Sequence, residues 1–349
     1  MQPLYLCADV GGTQIKTALL TAEGALAAPI GKAPARADLP REPMLEHLTA
    51  CLLAAAENAP AGAVQGVRLA VPGPFDYPAG ICKIEGLAKY GALYGVDLRA
   101  ELGARLAGSL GAAAGDIRFQ NDVAAFALGE LRFGCAKGVA RGVFVCIGTG
   151  CGSAFTLGED LAPAGTPGMP TDGYIYPLPL RGKRIDDWLS RRGLQTLSGE
   201  MLGEQLDGLA LARRADAGDA GAQAVWQEFG ALLAEALTPV LDAYRPALCC
   251  LGGQVTASGV RFLPPLQAAC AARGVALACT RIPACARCRV RCRAKSLHSL
   301  SVFLHPVGLP ARRCEWQRGG LLHRVKEYPH GTFSVHSPTR RPHTVSANR

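Results

Sequence analysis

Apolar and polar positions along this chain switch repeatedly between a period of two and a helical period. Tyr5 to Val10 is a short apolar run, then Gly11, Gly12 and Thr13 interrupt it, and alternation resumes at Ile15. Residues 4–31 read as two or three strands joined by turns, one of them at Ala22-Glu23-Gly24. Met44 to Asn58 predicts a helix with Leu45, Leu48, Leu52 and Ala55 on one face. Gly66 to Val71 is a predicted strand stopped by Pro72-Gly73-Pro74, and Asp97 to Leu110 a helix with Asp97 as its N-cap. Between them the chain through Lys89 reads as irregular.

The alternation then starts again. Ile117 to Gln120 is a predicted short strand ending at Asn121-Asp122, and Val123 to Phe133 a helix ended by Gly134. A strand over Arg141 to Ile147 runs into Gly148-Thr149-Gly150-Cys151-Gly152, followed by a strand over Ser153 to Leu157. Gly158 to Arg184 is rich in Gly and Pro and shows no element. Helices are predicted over Ile185 to Leu197, over Asp219 to Tyr244 with a bend at Pro239, and over Phe262 to Arg273. Strands are predicted over Ala247 to Leu251 and Val275 to Ala278. A strand, a glycine-rich turn and a second strand thus occur near residue 11 and again near residue 150. The fold class is therefore α/β, with one domain over 1–116, a second over 117–280 and a ligand cleft between them.

Composition changes this picture at one end only. The chain has 349 residues and a net charge of +9. Residues 281–349 hold fourteen Arg and Lys against Glu315 and Glu327, a net +12, which leaves −3 for the preceding 280. The basic balance therefore gives no ground for nucleic-acid binding by the body. No apolar run reaches ~18 residues, and no basic stretch followed by an apolar one opens the chain, so a cytoplasmic protein away from the membrane is expected. Of the 14 Cys, Cys7, Cys146, Cys249 and Cys250 sit in apolar runs and read as reduced core residues.

Four places carry candidate chemistry. In Asp9-Val10-Gly11-Gly12-Thr13-Gln14-Ile15-Lys16 the glycines allow a tight turn and a close approach of backbone N–H groups to an anion. Thr13 offers a hydroxyl, Lys16 a charge and Asp9 a carboxylate for Mg²⁺; the same residues also suit a plain β-hairpin. Gly148, Thr149 and Gly150 repeat the anion-binding composition, with glycine spacing unlike a dinucleotide fingerprint or a P-loop. Asn121-Asp122 can be a helix N-cap, or a general base with a neighbour that fixes a hydroxyl. Gly252-Gly253 is a strand-to-helix turn, or a place where a base or ribose lies against the backbone.

These motifs occur in one order: Asp9 to Thr13, Pro72-Gly73-Pro74, Asn121-Asp122 with Ala124-Ala125 and Gly129-Glu130, Gly148 to Gly152, and Gly252-Gly253. Together they resemble the ROK family (repressors, open reading frames and sugar kinases) over about residues 4–280. The resemblance implies two RNase H-like domains of the actin-like ATPase superfamily closing over ATP and Mg²⁺. The activity it implies is ATP-dependent phosphorylation of a hexose or a hexose derivative, as in a glucokinase. Asp122 would be the general base and Asn121 a sugar ligand. Gly11, Gly12, Thr13 and Lys16 with Gly148, Thr149 and Gly150 would hold phosphates, Gly252 and Gly253 would lie by the adenosine, and Asp9 would face Mg²⁺. Family members often form dimers, so a homodimer is left open. The alternatives are a catalytically impaired sugar- or nucleotide-binding protein and, ranked lower, a sugar-responsive transcriptional regulator.

Two departures from the family qualify this. Many members carry Glu-x-x-His after the second turn and then a Cys-rich zinc site; here the region reads Pro170-Thr171-Asp172-Gly173-Tyr174-Ile175-Tyr176. No zinc site is expected, and the sugar's identity is open. Residues 281–349 also lack the final apolar helix the family would supply. Their Cys, Arg and His content suggests an irregular tail or a shifted reading frame. The competing zinc or nucleic-acid module would rest on Cys285, Cys288 and Cys292, which lack a well-placed fourth ligand.

Overall fold

The structure, a computed structural model, describes residues 2–85 and 89–280. The expectations for residues 281–349 lie outside these.

The first sheet is built by β1 (Leu4–Val10), β2 (Gln14–Thr21), β3 (Gly31–Pro34) and β4 (Val64–Val71), with α1 (Arg41–Ala56) between β3 and β4. A two-stranded hairpin follows, β5 (Phe75–Asp76) and β6 (Ile81–Cys82), then α2 (Leu98–Leu110) and β7 (Ile117–Asn121). The strand order is β3-β2-β1-β4-β7, antiparallel from β3 to β1 and parallel from β1 to β7. Alternation sets the faces. Leu6, Ala8 and Val10 of β1 join Val67, Leu69 and Val71 of β4 in one core, with Leu45, Leu48 and Leu52 of α1 and Leu102 and Leu106 of α2. Cys7, Ala18 and Leu20 form a smaller cluster. Asp97 caps α2 as expected, accepting from the Ala100 N–H at 3.0 Å.

The second half repeats the plan. After α3 (Asp122–Phe133) come β8 (Arg141–Ile147), β9 (Cys151–Leu157) and β10 (Asp160–Leu161), then a hairpin of β11 (Pro179–Leu180) and β12 (Lys183–Arg184). Helices α4 (Ile185–Trp188), α5 (Arg191–Leu202), α6 (Gly208–Asp216) and α7 (Ala220–Tyr244) precede β13 (Leu248–Gly252), α8 (Pro264–Ala271) and β14 (Ala276–Cys279). The order β10-β9-β8-β13-β14 has the same antiparallel and parallel pairings as the first sheet. Val143, Val145, Cys249 and Leu251 face the helices of the main core, where Trp226, Phe229 and Phe262 pack. Phe144 and Cys250 face α3 on the other side, meeting Val123, Phe126 and Leu131.

Three expectations are corrected. Ile117–Asn121, expected to open the second domain, pairs in parallel with β4 and closes the first sheet, with Val71 opposite Asn121. The helix expected over Ile185 to Leu197 is two. Leu189 leaves the helical region, and the buried Ser190 starts a new helix by accepting from the Gly193 N–H at 3.1 Å. Helix α6 lies in a stretch for which no element was predicted; Asp207 caps it, accepting from the Leu209 and Ala210 N–H groups at 2.9 and 2.8 Å. Helix α7 continues through Pro239.

Packing behind the second sheet concentrates on three aromatic rings. Trp226 stacks on Phe262 at 5.7 Å and 16°, and Phe229 meets Phe262 edge-on at 5.2 Å. Phe262→Ala would remove a fully buried ring from both contacts and is expected to cost about 3–5 kcal/mol. Urea unfolding followed by tryptophan fluorescence measures this; a loss under about 1 kcal/mol would mean that the cluster collapses to fill the space.

Candidate functional site

The parallel strands determine where the site lies. Asp9 stands opposite Ala70 in register, and Ala70 and Val71 stand opposite Gln120 and Asn121. The carboxyl ends of β1, β4 and β7 therefore bring Asp9, Pro72, Asn121 and Asp122 to one edge, where ligands of open α/β sheets bind. In the second sheet Gly252 is opposite Cys146, so β8 and β13 end together at Gly148 and Gly253.

Each glycine turn is fixed by its own backbone and by a side chain from elsewhere. In the first, the Gly11 N–H donates to the Gln14 carbonyl at 3.1 Å, and the Tyr90 hydroxyl donates to the Gly11 carbonyl at 2.8 Å. In the second, the Gly148 N–H donates to the Gly150 carbonyl at 2.9 Å, and Asp186 Oδ1 accepts from the Cys151 N–H at 2.7 Å. The two turns face each other: a Cβ placed on Gly12 would lie 3.6 Å from Thr149 Oγ1 and 3.3 Å from the Lys89 side chain. Thr13 and Thr149 are exposed, and the Thr149 hydroxyl faces Gly12. Lys16 donates to Asp9 Oδ2 at 3.2 Å, so its charge is already matched.

Asn121 caps α3, its Oδ1 accepting from the Val123 and Ala124 N–H groups at 3.0 Å each. The capping reading is therefore met, and the amide nitrogen remains to donate to the Tyr77 hydroxyl at 3.1 Å. Asp122 follows at the first position of the helix, its Oδ1 accepting from its neighbour's N–H at 3.0 Å. Burial raises the Asp122 pKa, the Asp9 carboxylate raises it further, and Lys89 opposes both. The Tyr77 and Tyr174 hydroxyls are pushed up mainly by burial, with Asp122 contributing to each, so both rings share its surroundings. The Tyr174 loop is fixed by the buried Ser153, which donates to the Gly173 carbonyl at 2.6 Å and accepts from the Ile175 N–H at 3.0 Å. The sequence did not single out Tyr77 or Tyr174, because a tyrosine in a loop carries no spacing signal.

Packing alone already requires the last glycine pair. A Cβ on Gly252 would lie 2.9 Å from the Phe126 ring, and one on Gly253, where φ is +93°, would strike the Ile147 carbonyl. For Mg²⁺, Asp9 keeps one carboxylate oxygen, Oδ1, without a hydrogen bond among the described residues. A hard cation fits there if phosphate and water supply its other oxygens. No group of three or more His, Cys, Asp or Glu suited to a metal occurs among the described residues, and no helix among them is long and apolar enough to cross a membrane.

The ROK family profile matches residues 5–273. Among solved structures, the ROK hexokinase from Thermus thermophilus superposes with a TM-score of 0.64 at 19% identity, covering 86% of this chain and 97% of its own. A ROK family glucokinase from Streptomyces griseus, solved with glucose and AMPPNP, gives 0.64 at 17% identity over the same shares. A ROK family transcriptional regulator, a homolog of the E. coli MLC protein, gives 0.67 at 16% identity, covering 87% of this chain and 78% of its own. No curated protein matches the sequence. The likenesses establish the actin-like ATPase fold, and the family match, spanning most of the chain, establishes that this protein belongs to the ROK family.

Proposed function

We propose that this protein is an ATP-dependent sugar kinase that phosphorylates a hexose or hexose derivative, with Asp122 as general base. The observation that carries the reading is the convergence of two glycine-rich turns, one from each sheet, with Gly12 facing Thr149 beside the carboxylates at the strand ends. In this reading Gly11, Gly12, Thr13, Gly148, Thr149 and Gly150 receive the phosphates, and the edge of Gly252-Gly253 receives the adenosine. One domain runs through Asn121 and the other from Asp122 to residue 280. Asp9 would hold Mg²⁺, which supplies charge neutralisation on the phosphates.

Asn121 orients the acceptor through its amide, which Tyr77 fixes. Asp122 takes the proton of the acceptor hydroxyl as that oxygen bonds to the γ-phosphorus and the bond from phosphorus to the β,γ-bridging oxygen breaks, releasing ADP. Its mounting suits the role: α3 starts at Asp122, so the backbone that carries the carboxylate is held by the helix and its Asn121 cap. The structures of hexokinase and glucokinase with this fold support the reaction class.

A second reading, binding without turnover, draws on the loop Pro170–Tyr176. It brings Tyr174 and Tyr176 rings together at 5.7 Å and offers Asp172 as its sole carboxylate. An ADP-release assay over a panel of hexoses and amino sugars separates the two. Turnover with any sugar supports the kinase; calorimetric sugar binding with no turnover supports the second reading.

Asp122→Asn is expected to lower kcat by about 10²–10⁴-fold while ATP affinity changes little. Calorimetry with a non-hydrolysable ATP analogue checks the second half of that statement, and retained turnover would remove Asp122 from the role of base.

The pH profile gives a further test. The base must be ionised, and burial and Asp9 hold its pKa above the ordinary aspartate range while Lys89 pulls it down. The acid limb of kcat/KM should therefore lie above that of an unperturbed aspartate. Lys89→Met removes the opposing charge, leaving Asp9, Tyr77 and Tyr174 around the carboxyl, so the limb should move to higher pH. A limb that stays in place or moves down would show that another group is titrating.

A further inference from the structure

Arg191 opens α5 and reaches across from the second half of the chain to the first. Its Nη1 lies 3.5 Å from Thr13 Oγ1, and its backbone N–H donates to the Gly148 carbonyl at 2.9 Å. One residue thus touches both glycine turns. Its side chain is exposed and has no carboxylate partner among the described residues. The neighbouring cations are matched, Lys16 by Asp9 and Arg192 by Asp186 at 3.3 Å.

Neither its hydrogen bond nor its place in the helix accounts for this guanidinium without a ligand. A bond of 3.5 Å to a neutral hydroxyl is too long and too weak to hold an arginine that is free to extend into water. The first turn of a helix is also the wrong place for an uncompensated cation. The macrodipole disfavours positive charge there, and the first turn of α5 contains no acid. An anion between the turns would remove the mismatch, accepting a forked pair of charge-assisted bonds from Arg191 and reading the helix end favourably. Lys89 approaches the same turn from the first half, its side chain 3.3 Å from where a Gly12 Cβ would stand. The place where Gly12 faces Thr149 is therefore flanked by one cation from each half.

We propose that Arg191 is a phosphate-binding residue that grips the terminal phosphates of the nucleotide between the two turns. The motifs that place ATP here assign phosphate contact to the turns and to Lys16; the arginine adds a charge from the second half that reaches Thr13 and completes the cradle. This rests on the kinase reading above.

The test compares ATP, ADP and adenosine binding by calorimetry for the full-length protein, Arg191→Ala and Arg191→Lys. The alanine variant keeps the backbone bond to Gly148 and removes an exposed side chain, so its melting temperature should stay within a few degrees. It should bind ATP and ADP about 10- to 100-fold more weakly and adenosine as the wild type does. The lysine variant, with charge but no fork, should fall between. In turnover, the KM for ATP should rise while sugar binding, measured separately by calorimetry, is unchanged. An alanine variant that binds ATP as tightly as the wild type, or loses adenosine equally, would overturn the role of Arg191 alone. Failure of the wild type to bind ATP would overturn the kinase reading itself, and this proposal with it.

Discussion

Parallel pairing of β1, β4 and β7 is the constraint from which the site follows. Parallel strands in register must end at the same edge, so Asp9, Pro72 and Asn121 converge although more than a hundred residues of chain separate the first from the last. The second sheet applies the same rule to β8 and β13. Each sheet also begins with an antiparallel pair joined by a turn, and that turn must lie at the same end as the parallel strands' carboxyl ends. Two sheets of one topology thus present two turns and two sets of strand ends, and a site assembled from both needs little beyond their meeting.

Charge within the site follows a similar economy. Asp9 lies close enough to Asp122 to disfavour its ionisation, and burial acts in the same direction. Lys16 answers Asp9 directly, and Lys89 acts on Asp122. Burial is the largest influence on Asp122, so the raised pKa is set mainly by where β7 ends and α3 begins, with the neighbouring charges adjusting it. Lys16, which the sequence suggested for phosphate, pairs with Asp9 in this structure, and Lys89 and Arg191 bring further positive charge to the turns.

Local elements were legible in the sequence wherever the signal was local. The strand over Arg141 to Ile147 has the predicted bounds, and Asp97 caps its helix because an aspartate before a helical period has one obvious use. The repeat was legible too, as two strand–turn–strand units. The sheet that receives Ile117–Asn121 was not. That strand belongs to β4 through a pairing across about fifty residues, and no local pattern states which neighbour a parallel strand will take. Ser190 shows the same limit at short range: a serine within an apolar period looks like an exposed helix position until its burial and its bond to the Gly193 N–H are known. Tyr77, Tyr174 and Arg191 come from loops and a helix start, where side-chain direction is decided by tertiary contacts.

Glycines are where sequence motif and physical cause need to be separated. Gly252 and Gly253 belong to the motif order that marks the family, yet Phe126 and the Ile147 carbonyl already exclude a side chain at both. Adding a Cβ there would damage the join between β13, β8 and α3 whether or not a nucleotide binds, so loss of activity in such a variant would say nothing about adenosine. Gly148 is different: no atom lies within 4 Å of where its Cβ would stand. Neither its φ nor its packing demands glycine, since it is absent from the positive-φ residues. Open space beside this turn leaves room for the phosphate contact proposed above. Packing therefore accounts for the glycines at 252 and 253 and leaves the glycine at 148 unexplained.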